Sequence, residues 1–274
     1  MSDFTFLITA YNPGEFIIIT LNSILNQTYS KFIILYIDDQ STDNSLALVE
    51  KIPDPRIRII KNKERLGLIP SLNLGVDLTT TKYIIRFDAD DILLPNFLQN
   101  KIQHLEKNIV LLGENFLITD SNLNIKGKTK HPTSDFEIKK QLLNLNNPIN
   151  QPGVVLDRES VVKAGYYKHV KAAEDYDLWL RMMKLGEFKN SNGYQLLYRV
   201  TDQSLTKSTF EHIAKSNILA LSGYRNGVLT TRSAILYIFL FKQYNHTRGF
   251  SFKKLFYYPI YHLYRLLYSW SLSK

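Results

Sequence analysis

The sequence predicts an α/β fold, with a mostly parallel central sheet flanked by helices and a helical extension at the C-terminus. Two observations predict it. Short apolar runs alternate with helix-like patterns through the first hundred residues, as in strand–helix–strand crossovers. The run at residues 32–37 is apolar throughout, which is typical of a strand buried on both faces. With 274 residues, 45% of them hydrophobic, the chain can bury a substantial core.

The first part of the chain follows this alternation element by element. Strands are expected at residues 4–9, 32–37, 56–60 and 83–87, and helices at 15–26, 44–51, 69–78 and 96–106. Phe16, Ile19 and Ile24 give the first helix its apolar stripe. Pro53 and Pro55 break the chain after the second helix.

The pattern becomes irregular after Pro95. One or two strands are expected at residues 109–118, a loop or hairpin at 121–132, short strands at 154–156 and 194–200, and a helix at 175–185. From Phe210 onward the chain reads as helices. We therefore expect one α/β domain, the catalytic domain if the chain is an enzyme, at residues 1–206 and a helical extension at residues 207–274.

Charge is distributed unevenly along the chain. The net charge is +9, and residues 207–274 hold ten Lys and Arg and one acidic residue, Glu211. The same segment contains 15 of the 34 aromatic residues. Basic and aromatic residues together favour an anionic membrane surface as partner. Packing of the aromatic residues on the catalytic domain explains them equally well, and both interpretations stay open.

The sequence contains no cysteine, which excludes disulfides and thiolate metal sites. A metal must then be held by oxygen or imidazole ligands. The N-terminus shows no secretory signal pattern, and no stretch is apolar enough to span a bilayer. We expect a cytoplasmic protein, with a peripheral position on the inner face of the membrane left open.

Three polar clusters follow predicted strands, at residues 9–13, 38–43 and 88–91. In open parallel sheets, ligands bind beyond the carboxyl ends of the strands, so these clusters are expected at one edge. Carboxylates gathered there repel one another unless they spread apart or a cation neutralises them. Mg²⁺ or Mn²⁺ binds one or two carboxylates together with substrate phosphates. A solvated turn with helix-capping aspartates explains the cluster at residues 88–91 about as well.

A fourth cluster, at residues 172–181, places Glu174 and Asp175 at the start of a predicted helix. Acidic residues in a first helical turn are ordinary, because they complement the helix dipole. Tyr11 is similarly ambiguous: it could stack on a base or be a half-buried loop aromatic. Taken one at a time, these residues do not decide a function.

In series, however, the segments resemble family 2 glycosyltransferases, whose GT-A fold is a Rossmann-like, mostly parallel sheet flanked by helices. The resemblance covers about the first 205 residues. It rests on residues 8–12, 23–29, 37–43, 66–68, 72–75, 87–92 with Pro95, and 173–181.

The resemblance implies a role for each matching residue. Tyr11 would pack on the nucleotide base, Asp39 would hydrogen-bond it, and Asp88 would lie near the ribose. Asp90 would bind a divalent cation, Mn²⁺ or Mg²⁺, and Asp175 would be the general base. Further residues implied in the nucleotide-sugar site are Thr9 and Ala89, and on the acceptor side Glu174 and Trp179.

The implied reaction is transfer of a sugar from a nucleotide-diphosphate donor, with inversion at the anomeric carbon. The donor is expected to be a UDP-hexose or UDP-N-acetylhexosamine. The acceptor is expected to be a hydroxyl of a glycan or lipid-linked glycan, in bacterial surface polysaccharide or lipopolysaccharide synthesis. This chain departs from many relatives at Gln151 and Thr201, where those carry histidine, which leaves the acceptor identity open.

Other functions remain as alternatives at this stage. A sugar-1-phosphate nucleotidyltransferase would need a basic, glycine-rich loop after the first strand, and residues 9–14 hold no basic residue. A nucleic-acid-binding module would use the basic tail, but no recognition motif accompanies that charge, so no nucleic acid is expected as a partner. A non-catalytic nucleotide-sugar-binding relative would have no use for both Asp90 and Asp175.

Overall fold

The computed structural model describes residues 3–144, 146–168 and 173–200. The strands are β1 (Phe4–Ala10), β2 (Phe32–Asp38), β3 (Ile57–Lys61), β4 (Tyr83–Phe87), β5 (Ile92–Leu93), β6 (Ile109–Glu114), β7 (Leu117–Thr119), β8 (Ile125–Lys128), β9 (Val154–Asp157), β10 (Glu187–Ser191) and β11 (Leu196–Arg199). The helices are α1 (Phe16–Leu25), α2 (Ser45–Glu50), α3 (Leu68–Leu78), α4 (Phe97–His104), α5 (Asp135–Leu143), α6 (Arg158–Lys163) and α7 (Glu174–Met182). Within these ranges, no helix has both the length and the apolar character needed to cross a bilayer.

The main sheet has the order β10-β6-β9-β4-β1-β2-β3. Its neighbours pair in parallel, except that β9 runs antiparallel to both β4 and β6. A second sheet has the order β5-β11-β7-β8. The mostly parallel α/β architecture expected from the sequence is therefore confirmed, with one reversed strand that the sequence pattern did not predict.

Strand β1 lies in the middle of the core and is buried on both faces. Phe4, Phe6 and Ile8 pack in one apolar cluster with residues of α1, and Leu7 packs in the other with residues of α3. Helix α3 comes unusually close at Gly75, where an added Cβ would lie 2.1 Å from the Leu7 Cδ1 atom. Only glycine permits this approach, which brings α3 directly onto the strand.

Parallel pairing aligns the strand ends that carry the polar clusters. In the β1–β2 register, Ala10 is opposite Asp38, the last residue of each strand. Strand β4 pairs with the other side of β1, with Phe87 opposite Ile8. The three segments that follow these strands consequently leave the sheet at the same edge, as predicted.

The structure contains elements that the sequence pattern did not predict. Helices α5 and α6 and strands β5 and β10 are among them. Helix α5 had a readable signal, because Ser134 and Glu137 have the spacing of a capping box, and the Ser134 hydroxyl accepts from the Glu137 N–H. The predicted boundary at Thr206 and the extension at residues 207–274 lie outside the described residues.

Candidate active site

Asp39, directly after β2, is buried and holds a neighbouring loop in place. Its Oδ1 atom accepts hydrogen bonds from the Asn62 side chain at 2.7 Å and the Leu66 N–H at 2.8 Å. Its Oδ2 atom accepts from the Gly67 N–H at 2.8 Å. Burial alone would raise the pKa of Asp39, but these hydrogen bonds lower it, so the carboxylate stays ionised. Gly67 has a φ of 87°, a conformation that glycine adopts without strain.

Two loops at this edge are joined by hydrogen bonds. The Asn12 N–H donates to the Ser41 hydroxyl at 3.0 Å, and the Asn12 Oδ1 atom accepts from the Thr42 N–H at 2.7 Å. The Gly14 N–H donates to Asp43 at 2.9 Å. The segments after β1 and β2 therefore form one braced surface.

An aromatic ring lies exposed on that surface. The Tyr11 side chain is 39% exposed, and the Arg65 guanidinium carbon is 3.7 Å from the ring centroid. Thr9, at the end of β1, is half-buried. A planar cation stacks on the ring, which shows that a face of Tyr11 can accept a planar group.

The segment with three aspartates after β4 is fixed on both sides. The Thr20 hydroxyl donates to the Ala89 carbonyl at 3.0 Å and to the Asp91 carbonyl at 2.8 Å. Arg199, from β11, donates its Nε to the Asp90 carbonyl and its backbone N–H to the Asp91 carboxylate, each at 2.9 Å. The segment is a rigid turn rather than a solvated loop.

Within the described residues Asp90 forms no ion pair, although the positive charges of Arg199 and Arg86 act on it. The Asp88 carboxylate is bound by Arg86, whereas the Asp90 side chain accepts no hydrogen bond from any other residue in the described ranges. Burial, followed by the Asp88 charge, raises the pKa of Asp90 to about 6. Burial and the charges of Asp88 and Asp90 also raise the pKa of the fully buried Asp91 well above its ordinary value.

This arrangement fits a cation that the protein holds only partly. Among residues 3–144, 146–168 and 173–200, no group of three or more His, Asp or Glu side chains could form a closed metal site. Asp90 offers one uncommitted carboxylate beside a second, Asp88, that Arg86 already binds. A hard divalent cation accepts such a set when substrate phosphates supply its other ligands.

The fourth cluster forms the other half of the site. Glu174 and Asp175 begin α7, after Ala173 in a left-handed conformation with a φ of 59°. The Asn147 amide donates to the Asp175 Oδ2 atom at 2.9 Å, and the Gln151 amide donates to Glu174 at 3.2 Å. Burial, then the Glu174 charge, raises the pKa of Asp175 to about 6.

Arg86, on β4, connects the two halves electrostatically. Its side chain is nearly fully buried, and its charge lowers the pKa of both Asp90 and Asp175. It also interacts with Glu174, while its guanidinium binds Asp88. The Gln151 amide donates to Glu174, and two residues later the Gly153 N–H donates to the Arg86 carbonyl at 2.8 Å, so the start of α7 lies beside the end of β4, where the aspartate turn begins.

The family model for glycosyl transferase family 2 matches residues 5–165, which include the Asp39 and Asp90 segments and Arg86. The chain belongs to this family. Membership makes it a glycosyltransferase and disfavours the nucleotidyltransferase and nucleic-acid-binding alternatives.

Two relatives illustrate the range of the similarity. An uncharacterized glycosyltransferase of Haemophilus influenzae is 35% identical over 221 residues, covering 75% of this chain and 68% of the relative. The Escherichia coli UDP-Glc:α-D-GlcNAc-diphosphoundecaprenol β-1,3-glucosyltransferase WfaP is 31% identical over 221 residues, covering 80% of this chain and 86% of WfaP.

Solved structures share the fold. S. aureus TarS in complex with UDP-GlcNAc superposes with a TM-score of 0.64 at 18% identity, covering 96% of this chain and 79% of the TarS chain. The mannosyltransferase PcManGT of Pyrobaculum calidifontis, in complex with GDP-Man and Mn²⁺, has a TM-score of 0.62 at 14% identity, covering 97% of this chain and 73% of the other. At these identities the likeness establishes the GT-A fold alone.

For one predicted site residue of this glycosyltransferase, the structure differs from the location that the sequence suggested. Trp179 was expected on the acceptor side, but its side chain is fully buried among the apolar residues beneath α7. Helix α7 must bury an apolar face to pack, and Trp179 is the largest side chain on that face. Its position anchors the helix, and its ring cannot contact an acceptor in this structure.

The structure also brings in residues that the sequence reasoning did not single out. Arg86, Asn147 and Arg199 all hold parts of the site in place. Only Arg86 left a readable signal, as a lone charge within an apolar strand. Thr201, the second departure from the family pattern, lies outside the described residues.

Proposed function

We propose that this enzyme transfers a hexose or N-acetylhexosamine from a UDP donor to a hydroxyl of a lipid-linked glycan, with inversion of configuration. The observation that carries the proposal is that the start of α7, with Asp175, lies beside the end of β4, from which the turn with Asp90 leaves. One group would serve the departing diphosphate and the other the attacking hydroxyl. A single displacement needs both within one site.

The donor would bind at the ends of β1, β2 and β4. The exposed Tyr11 ring suits stacking on a base, and Asp39 is held ionised at the same edge. Each carboxylate oxygen accepts more than one hydrogen bond, so Asp39 keeps capacity for a base N–H. Thr9, Asp88 and Ala89 would line the ribose and phosphate end.

Asp90 would hold the divalent cation, Mn²⁺ or Mg²⁺. Such a cation acts as a Lewis acid that stabilises negative charge on a departing diphosphate. The protein would supply few ligands, consistent with the incomplete set around Asp90. The PcManGT complex contains Mn²⁺ with its nucleotide sugar, which supports the same requirement here.

Asp175 would take the proton of the acceptor hydroxyl as the new bond forms. A carboxylate within hydrogen-bond reach of a hydroxyl is a sufficient general base, so no covalent intermediate is needed. Glu174 would lie beside it on the acceptor side, held by Gln151. Direct displacement from the face opposite the leaving group inverts the anomeric centre.

The acceptor and pathway are proposed from relatives. WfaP is named for transfer to GlcNAc-diphosphoundecaprenol, and AmsE of Erwinia amylovora for amylovoran biosynthesis. We infer a role in bacterial surface polysaccharide or lipopolysaccharide synthesis. The ten basic residues at 207–274 would hold the catalytic domain, residues 1–206, in the cytoplasm beside an anionic membrane that carries the acceptor.

The proposal is tested by donor binding and by product analysis. UDP-Glc, UDP-Gal, UDP-GlcNAc and GDP-Man are screened by thermal shift with Mn²⁺ or Mg²⁺, on the wild type and on Asp90→Asn. The true donor should raise the Tm as RT ln(1 + [L]/Kd), and Asp90→Asn should lose most of the metal-dependent part. Glu159→Gln, an exposed carboxylate in the first turn of α6, is the control and should behave as wild type.

Product analysis decides the stereochemistry. The selected donor is incubated with a GlcNAc-diphospholipid, and the new linkage is assigned from its anomeric proton coupling by NMR. An α-linked donor should give a β-linked product. Retention of configuration would overturn the inverting mechanism, and absence of any nucleotide-sugar binding would overturn the proposed function.

A further inference from the structure

We propose that Asn147 is a positioning residue for the general base: its amide fixes one oxygen of Asp175 and turns the carboxylate toward the acceptor hydroxyl. The inference rests on the proposed function, in which Asp175 takes the acceptor's proton. The contact is direct, with the Asn147 Nδ2 atom 2.9 Å from the Asp175 Oδ2 atom. It joins two segments that are 28 positions apart in the sequence.

The orientation of the Asn147 amide follows from its second hydrogen bond. The Asn147 Oδ1 atom accepts from the Ile149 backbone N–H at 3.2 Å. A backbone N–H can only donate, so the oxygen end of the amide must face Ile149. The nitrogen end therefore faces Asp175 as a donor, and a donor at this place favours the ionised carboxylate.

The segment that presents Asn147 is itself anchored outside α7. The Pro148 carbonyl accepts from the Asn190 side chain at 3.0 Å, and the Asn150 side chain donates to the Glu114 carbonyl at 2.9 Å. These partners belong to β10 and β6. The base lies on one element and its hydrogen-bond donor on another, so the contact fixes the direction of the Asp175 side chain relative to the sheet.

The groups around Asp175 act in opposite directions on its ionisation. Burial and the neighbouring charge of Glu174 on α7 raise its pKa, and Tyr167, after α6, interacts with it as well. The Tyr176 backbone N–H, Asn147 and the charge of Arg86 on β4 lower it. Asn147 is the neutral side chain among these that bonds the carboxylate directly, and it leaves further lone pairs for the acceptor hydroxyl.

Asn147→Asp is the sharpest test, because it replaces only the side-chain nitrogen that faces Asp175 with an oxygen. The new side chain can still accept from the Ile149 N–H, but it presents an oxygen to Asp175 where nitrogen stood. Of two carboxylates in contact, one has its pKa raised, and here that one is Asp175, because the Ile149 N–H favours the ionised form of the new side chain. The pH below which kcat falls, the acidic limb, should therefore move up by at least about one pH unit. The donor KM should stay unchanged, because no donor-side residue is altered.

A matched control lies one residue away. Asn146 is exposed, and its amide donates to the Gln141 side chain rather than to Asp175. Asn146→Asp adds the same charge at the neighbouring position and should leave the acidic limb where it is in the wild type. Asn147→Ala removes the donor without adding charge and should move the limb in the same direction as Asn147→Asp, by a smaller amount.

A second readout does not depend on turnover. The carboxyl ¹³C signal of Asp175, assigned by its loss in Asp175→Asn, is titrated in the full chain, and its pKa should rise in Asn147→Asp but not in Asn146→Asp. Should Asn147→Asp fail to fold, Asn147→Ala carries both measurements. If Asp175→Asn is inactive, and the substitution of Asn147 changes neither the pH profile of kcat nor the pKa of the Asp175 carboxyl group, the proposed role of Asn147 is overturned. An active Asp175→Asn would instead overturn the proposed function.

Discussion

The proposed donor and acceptor sides of the active site are built in different ways. On the donor side, the residues that follow β1, β2 and β4 hydrogen-bond to one another and to segments nearby, as Asp39 does with Leu66 and Gly67. On the acceptor side, Asp175 depends on Asn147, which comes from a segment anchored to β6 and β10. The donor side is a property of the parallel sheet, whereas the acceptor side is assembled from separate elements.

This difference separates two kinds of mutational effect. Changes on the donor side should alter nucleotide affinity, because they loosen a surface that binds the base and phosphates. Changes on the acceptor side should alter the chemical step, because they act on the ionisation and direction of Asp175. The three predictions below test this separation, from the largest expected effect to the smallest.

Asp175→Asn should lower kcat by about 10²- to 10⁴-fold, the range for loss of a general base, because an amide cannot accept the hydroxyl proton. The donor KM should change little, since Asp175 belongs to the acceptor side. Initial rates with saturating acceptor measure both constants. A large rise in donor KM with kcat preserved would place Asp175 on the donor side and contradict the division into two sides.

Asp39→Asn should raise the donor KM on the order of 10- to 100-fold, the equivalent of one or two hydrogen bonds to a charged group. An amide cannot accept from Asn62, Leu66 and Gly67 at once, so residues 62–67 would loosen beside the Tyr11 ring. The expected kcat at saturating donor is close to wild type. Asp54→Asn is the control, because Asp54 also accepts a backbone N–H, from Arg56, but lies away from the site.

The pH dependence of the wild type gives the smallest effect. Burial and Glu174 raise the pKa of Asp175 to about 6, and only the ionised form accepts a proton. The rate constant kcat should therefore be half-maximal near pH 6, approach a constant value above about pH 7, and fall about tenfold per pH unit below about pH 5. Asp39, whose pKa is lowered, should stay ionised throughout this range, so it should add no pH dependence of its own to the donor KM. A fall in kcat that began only near pH 4 would show that a group other than Asp175 limits the rate.

The donor side of the site could be predicted from the sequence better than the acceptor side. Asp39 follows β2 directly and Asp90 stands in the turn directly after β4, and parallel strands place such segments together by local pattern alone, so the donor side was readable. The acceptor side was not: Asn147 reaches Asp175 only because β6, β9 and β10 bring distant segments together. Trp179 was predicted at the site because its neighbours in the sequence indicated one. The periodicity of α7 decides which side chains face the core, and Trp179 is one of those that do.

Some of the fold was unreadable for physical reasons. Strand β10, Glu187–Ser191, is largely polar in sequence, yet Asn190 and Ser191 are buried and hydrogen-bonded. A strand whose polar groups are satisfied by distant partners carries no apolar pattern to recognise. Helix α6 is only six residues long, too short to display a periodic stripe.

The reversed direction of β9 has a consequence for how this enzyme family could diversify. Because β9 runs opposite to β4, its first residue rather than its last lies at the edge where the neighbouring strands end, with Val154 opposite Arg86. The connection entering β9, residues 146–153, thus arrives beside the chemistry without passing through the nucleotide-binding loops. An exchange of that short stretch between homologues would be expected to transplant acceptor preference while the choice of nucleotide stays with the recipient.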